Sequence, residues 1–116
     1  MFFDYDSFCF YIKPGYIDMR KGIPGLSLYI QEMMKMNPFT ENTMFLFCGK
    51  SKKLLKALVW DRNGFWLMTK KLQMGSFVWP ASNKEAMKLS KNDIMRLLEG
   101  QDIFRKLPDL GSDFVL

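Results

Sequence analysis

Residues 59–71 read Val-Trp-Asp-Arg-Asn-Gly-Phe-Trp-Leu-Met-Thr-Lys-Lys. An apolar run enters a turn signal, leaves it as a second apolar run and ends in a basic pair. Asp-x-Asn-Gly between two such runs marks a β-hairpin, because Asn and Gly accept the positive φ that tight hairpin turns need. Gly64 is expected to hold that φ, so a β-branched residue there should strain the turn. Trp60 and Trp66 flank the turn. Aromatic side chains beside a turn usually belong to a core, and beside lysines they also grip nucleic acid.

Working outward, residues 54–60 form the strand before the turn and 64–71 the strand after it. Residues 43–48, "TMFLFC", and the run from residue 8 to 12, "FCFYI", have the same alternating or continuous apolar character. "GSFVWP" at 75–80 reads as a short edge segment stopped by Pro80. Pro24 suits a helix start, and Ile23, Leu26, Tyr29, Ile30, Met33 and Met34 recur at helical spacing until Asn37-Pro38 ends the helix. Asp18 is expected to cap a helical turn through Arg20. Ser90-Lys91-Asn92-Asp93 resembles a capping box and opens a second helix closed by Gly100.

The expected fold is therefore α+β. A small antiparallel sheet (strands near 8–12, 43–48, 54–60 and 64–71) packs on a helix near 24–35, with a short C-terminal helix near 91–99. The joining turns look too short for parallel crossovers. Length suits one domain, residues 1–107, followed by a tail from Pro108 to residue 116.

Of 116 residues, 48% are hydrophobic and 16% aromatic, which is rich enough for a core and too rich for disorder. Cys9 and Cys48 lie far apart in apolar runs and read as buried thiols. With no His and no CxxC pair, a zinc site is not expected. The opening "MFFDYDSF" lacks a basic n-region and is broken by Asp4 and Asp6, so it is no secretory signal. No apolar run reaches the ~20 residues of a membrane helix. A cytoplasmic protein is expected.

The net charge of +5 has one source. Residues 50–71 hold Lys50, Lys52, Lys53, Lys56, Arg62, Lys70 and Lys71 against Asp61 alone, whereas the rest of the chain holds ten basic and eleven acidic residues. Folding the hairpin should bring its two basic ends together. Such concentration is an electrostatic footprint for phosphate, and it is also what a solvated edge strand uses against aggregation. Arg20 and Lys21 are secondary phosphate candidates. They lie near a helix start, where the dipole disfavours cations, so an ion pair with Asp18 or Asp61 would explain them equally well. Alternation sends Phe65 and Trp66 to opposite faces. One belongs to the core, and the other is the candidate for stacking on a base.

Catalytic chemistry is not expected. His-based triads are excluded by composition, and no GxGxxG or P-loop spacing occurs. Two-metal cutting needs clustered carboxylates. Asp18 and Asp61 stand alone in the patterned region and read as a cap and a turn residue. No cofactor and no small-molecule substrate is indicated.

Three segments occur in order: "DMRKGIPGL" at 18–26, "FLFCGKSKKLLKALVWDRNGFWLMTKKLQMGSFVWP" at 45–80 and "LLEGQD" at 97–102. Together they resemble the TnpB-type (Orf2-like) accessory protein of the sixty-sixth insertion-sequence family of bacteria, over residues 10 to about 106. The resemblance implies a non-catalytic protein encoded beside a separate transposase and needed for efficient transposition. Family members usually carry arginines after Phe-Cys, where this chain has Gly49-Lys50-Ser51-Lys52-Lys53. Lysine meets phosphate as a point charge without bidentate geometry. The partners implied are DNA at the insertion-sequence ends, the cognate transposase, or both, and no membrane. The alternative is an adaptor that binds the transposase or another accessory protein without touching DNA, through a strand edge or a helix face bearing Met33, Met34 and Met36.

Overall fold

The computed structural model describes residues 3–81, 86–101 and 103. Five strands, β1 (Cys9–Tyr16), β2 (Thr43–Cys48), β3 (Leu54–Asp61), β4 (Gly64–Lys71) and β5 (Met87–Leu89), form one sheet in the order β4-β3-β2-β1-β5. Helix α1 (Ile23–Glu32) crosses between β1 and β2, and α2 (Lys91–Leu98) follows β5. The α+β class expected from the sequence is the class found. The tail from Pro108 lies outside the described residues.

Alternation decides the layers. Leu26 and Ile30 of α1 pack on Phe45, Phe47 and Leu58, with Phe65 and Leu67 partly buried beside them. The opposite face of the same strands offers Met44, Leu46, Cys48, Leu55, Ala57 and Val59. It is covered by Ile94 and Leu97 of α2 and by Phe77 and Trp79 of the segment after β4. β2 lies between two strands and two covered faces, so all six of its residues are buried. That is the reason its sequence is continuously apolar rather than alternating.

The structure corrects several expectations. β1 and β2 run parallel, while the other three pairings are antiparallel. The connection between β1 and β2 contains α1, which is long enough for a parallel crossover. The 75–80 segment is not a strand: Phe77 and Trp79 are buried core residues there, and the edge strand is β5 instead. β1 also runs beyond residue 12, through a register shift between Ile12 and Tyr16. Pro14 offers no N–H there, and Gly15 has φ 73°. Trp79 and Pro80 hold this irregular stretch. The Trp79 indole donates to the Lys13 carbonyl at 2.8 Å, and the Pro80 carbonyl accepts from Gly15 N–H at 2.8 Å.

α1 ends at Glu32 rather than near residue 35, because Lys35 turns left-handed (φ 56°) and Met36 N–H closes on the Ile30 carbonyl. Asp18 caps a turn, not a helix: its carboxylate accepts Arg20 N–H at 2.9 Å, and the N-cap of α1 is Gly22. Ser90 does cap α2, accepting Asp93 N–H at 3.1 Å, and Gly100 stands beyond its end with φ 85°. In the β3–β4 turn the positive φ falls on Arg62 (54°), not on Gly64. Gly64 pairs with Asp61 and is therefore a strand residue, leaving Arg62-Asn63 as the two-residue loop. Asn63 N–H closes on the Asp61 carbonyl across Arg62, a reversal over one residue that such a φ permits. Glu41 Oε1 steadies that residue by accepting its N–H at 2.9 Å.

Candidate nucleic-acid interface

The nine basic candidates fall into distinct environments. Antiparallel register sets Lys71 opposite Leu54 and Lys70 opposite Leu55. The end of β4 thus lies beside the β2–β3 turn, residues 49–53, which carries Lys50, Lys52 and Lys53. Gly49 permits this turn to sit close to the loop before α1, since a Cβ there would lie 2.7 Å from Met19 Cγ. Lys50, Lys52 and Lys71 are exposed, and their ammonium groups make no hydrogen bond or ion pair among the described residues. Lys50 Nζ stands 5.8 Å from the centroid of the Tyr16 ring, a cation–π approach. Lys53 Nζ donates to the Gly75 carbonyl at 2.7 Å and remains on the surface.

The other basic residues have structural partners. Lys56 projects from β3 toward α1 and donates to the carbonyls of Met19 at 2.6 Å and Lys21 at 2.9 Å. Those carbonyls precede a helix whose N-cap has no side-chain hydrogen bond, so the ammonium fastens the entry to α1 to the sheet. Lys70 Nζ donates to the Leu98 carbonyl at the end of α2, where a cation complements the helix dipole. Arg20 is engaged by Asp18 through Nε at 3.0 and 3.1 Å and Nη2 at 2.8 Å. This guanidinium holds the Asp18 carboxyl at about 2, below the ordinary 3.8. The ion pair weighed for Arg20 is thus present, with Asp18. Lys21 lays its stem against Gly25, Cβ to Cγ, and is partly buried. Arg62 Nε lies 3.4 Å from Asp61 at the hairpin tip, the opposite end of the sheet from Lys71.

The aromatic candidates also separate. Phe65 packs with Trp60 (4.9 Å between centroids) and Phe39 (5.3 Å) and lies partly buried against the core on the α1 face. Trp66 is 44% exposed, but its indole N–H is held by Asp61 Oδ2 at 3.0 Å and its ring meets Phe3 edge-on. It stands near the hairpin tip, away from the lysines of the 49–53 turn. The tip end is acidic: Asp4, Glu41 and Asp61 surround Arg62 around one hollow. Sequence reading passed over two exposed apolar side chains at the basic end, Tyr16 and Met74. The available signal for Met74 was its place before Gly75, just past Lys70-Lys71, where a polar turn residue is usual. Cys9 is half-buried and Cys48 buried, and both are free thiols.

The family model described as "IS66 Orf2 like protein" matches residues 9–107. The chain belongs to that family. IS66 Orf2-like proteins accompany insertion-sequence transposition as accessory proteins and are not a known catalytic family. The match spans the sheet, α1 and α2, and with them every basic candidate named above. An uncharacterized protein of Sinorhizobium fredii (strain NBRC 101917 / NGR234), y4hO, is 42% identical over 92 residues, 79% of this chain and 79% of its own length. A second, y4jC of the same strain, is 29% identical over 86 residues, 74% and 73% of the two lengths. No solved structure matches the chain. Among the described residues no helix is long and apolar enough to cross a membrane.

Proposed function

We propose that this IS66 Orf2-like protein contacts duplex DNA phosphates, alone or beside the transposase, through the lysine-bearing end of its sheet. The supporting observation is the juxtaposition of Lys50, Lys52 and Lys53 with Lys71 by the β3–β4 register, three of the four ammonium groups having no hydrogen-bond or ion-pair partner among the described residues. No carboxylate stands in the 49–53 turn or at the end of β4, so the field there is cationic. Arg20 and Arg62 contribute little to it, because each is neutralised by its own aspartate.

Four phosphate contacts give a log–log salt slope near about −3.6, from about −0.9 each. Replacing Lys50, Lys52 and Lys71 together by Ala should make the slope shallower by about 2.7. Fluorescence anisotropy on duplexes with and without insertion-sequence end sequence measures this. Both duplexes should weaken alike, since phosphate contacts carry no sequence information. An unaltered slope in the triple variant would overturn the proposal.

A second reading, a protein adaptor, has one observation in its favour. Among the described residues no strand pairs with the outer edge of β4, and an apolar hollow of about 400 Å³ lined by Met44, Leu46, Ala57 and Met68 opens beside it. The helix face first suggested for this role is smaller than expected: Met33 is exposed, but Met34 and Met36 pack against the core. Salt-insensitive capture of the transposase without DNA would favour this reading.

A further inference from the structure

Met74 is 87% exposed, more than any other large hydrophobic side chain among the described residues. Its loop is not a loose one. Leu72 N–H donates to the Lys53 carbonyl at 2.8 Å, and Phe77 N–H to the Lys52 carbonyl at 2.6 Å. Lys53 Nζ closes on the Gly75 carbonyl at 2.7 Å. Gly75 supplies the left-handed φ of 72° that reverses the chain after the methionine. On one flank Leu72 packs against the core, and on the other Phe77 is buried in it. Three hydrogen bonds and two apolar anchors therefore present a thioether to solvent from a loop fastened to the turn that carries Lys52 and Lys53. Among the described residues the side chain has no packing role.

We propose that Met74 inserts between adjacent base pairs of a DNA duplex, unstacking one step and kinking the helix. The inference rests on the DNA reading above and gives it a mode. Apolar wedges projecting from cationic surfaces enter the minor groove in this way, and the lysines beside them neutralise the phosphates that the bend brings together. Met is long, unbranched and polarisable, so it adapts to a narrow opening. It has no π-face, which makes it a poor platform for an unpaired base and points to a duplex rather than a single strand. Trp66 does not compete for this role, because it lies near the hairpin tip with its indole bound to Asp61. Lysines engaged with phosphates carry no sequence information, whereas a wedge favours steps that unstack easily. Pyrimidine–purine steps such as TpA are therefore the expected target.

The test uses the full chain with a duplex of about one and a half helical turns, carrying dyes at both ends and 2-aminopurine at a central TpA step. Binding of the wild type should raise both energy transfer and 2-aminopurine fluorescence. Met74→Ser should abolish both signals while leaving the salt slope of binding unchanged, because no lysine has moved. Met74→Leu should retain them. Salt-dependent binding by the wild type with neither signal would overturn insertion and leave the DNA reading standing. Retention of both signals by Met74→Ser would overturn the assignment to Met74. An equal loss of affinity on single-stranded DNA would overturn insertion into a duplex. No duplex binding at all would overturn the DNA reading together with the inference.

Discussion

Lys56 is a residue for which composition and structure give different answers. By charge it belongs with the phosphate-facing lysines, yet its ammonium is partly buried against the carbonyls of Met19 and Lys21. Replacing it by Met keeps the stem that packs beside α1 and removes only the charged donor. Hydrogen bonds to a charged group contribute about 1.5–3 kcal/mol each, but here both share one ammonium and water can reach part of the site, so about 2 kcal/mol should be lost. For a domain of this size that lowers Tm by roughly 8 °C, taking about 4 °C per kcal/mol. Lys52→Met is the control, because the Lys52 ammonium has no hydrogen-bond or ion-pair partner among the described residues and its loss should change stability by less than about 0.5 kcal/mol. Calorimetry of the two variants side by side decides the point. Indistinguishable melting, combined with a salt slope shallower by about 0.9 in Lys56→Met, would show that Lys56 faces phosphate and that its role in holding the α1 entry is wrong.

Gly64→Val should be tolerated within about 0.5 kcal/mol in a urea titration, because a Cβ there meets nothing within 4 Å and the residue is a strand member; a loss above about 1 kcal/mol would return the positive φ to Gly64. The Asp18 carboxyl, held down chiefly by hydrogen bonds from Arg20, should titrate by NMR near about 2 and return toward 3.8 in Arg20→Gln. Since its folded value is the depressed one, whatever the pair contributes is present above pH 3.8 and fades as pH falls through about 2. Burial pushes the Cys48 thiol from 9.0 up to about 11, so a thiol reagent at pH 8 should leave it unmodified until denaturant is added. The unfolded thiol ionises first, and the stability linked to it should decline between pH 9 and about 11.

The sheet was legible where alternation and turn chemistry agree. The β3–β4 pairing follows from two apolar runs either side of Asp-Arg-Asn-Gly, and α2 from Ser90 and Gly100. Direction was less legible: β1 is parallel to β2, and strand patterns do not encode which way a neighbour runs. The Trp79-Pro80 segment looked like an edge strand because buried aromatics resemble strand residues. Its role is tertiary, covering the sheet and bonding the irregular backbone of β1. At the candidate interface the cluster of lysines could be read from composition. Which of them the fold itself uses could not, since the two acceptors of Lys56 lie 37 and 35 residues away in sequence and that of Lys70 lies 28 away. Met74 was missed because its prominence depends on hydrogen bonds to Lys52 and Lys53 across the turn.

The two ends of the sheet carry opposite charge, lysines around the 49–53 turn and carboxylates around Arg62. β3 joins them over eight residues, about 25 Å at about 3.3 Å each. At physiological ionic strength the screening length is about 8 Å, so the span is about three screening lengths and each end acts as an independent electrostatic surface. At about 0.01 M salt the screening length grows to about 30 Å. The molecule then behaves as one dipole, and a polyanion approaching in the wrong orientation is turned before contact. Orientation on encounter would thus be governed by salt, separately from the strength of the contact once made.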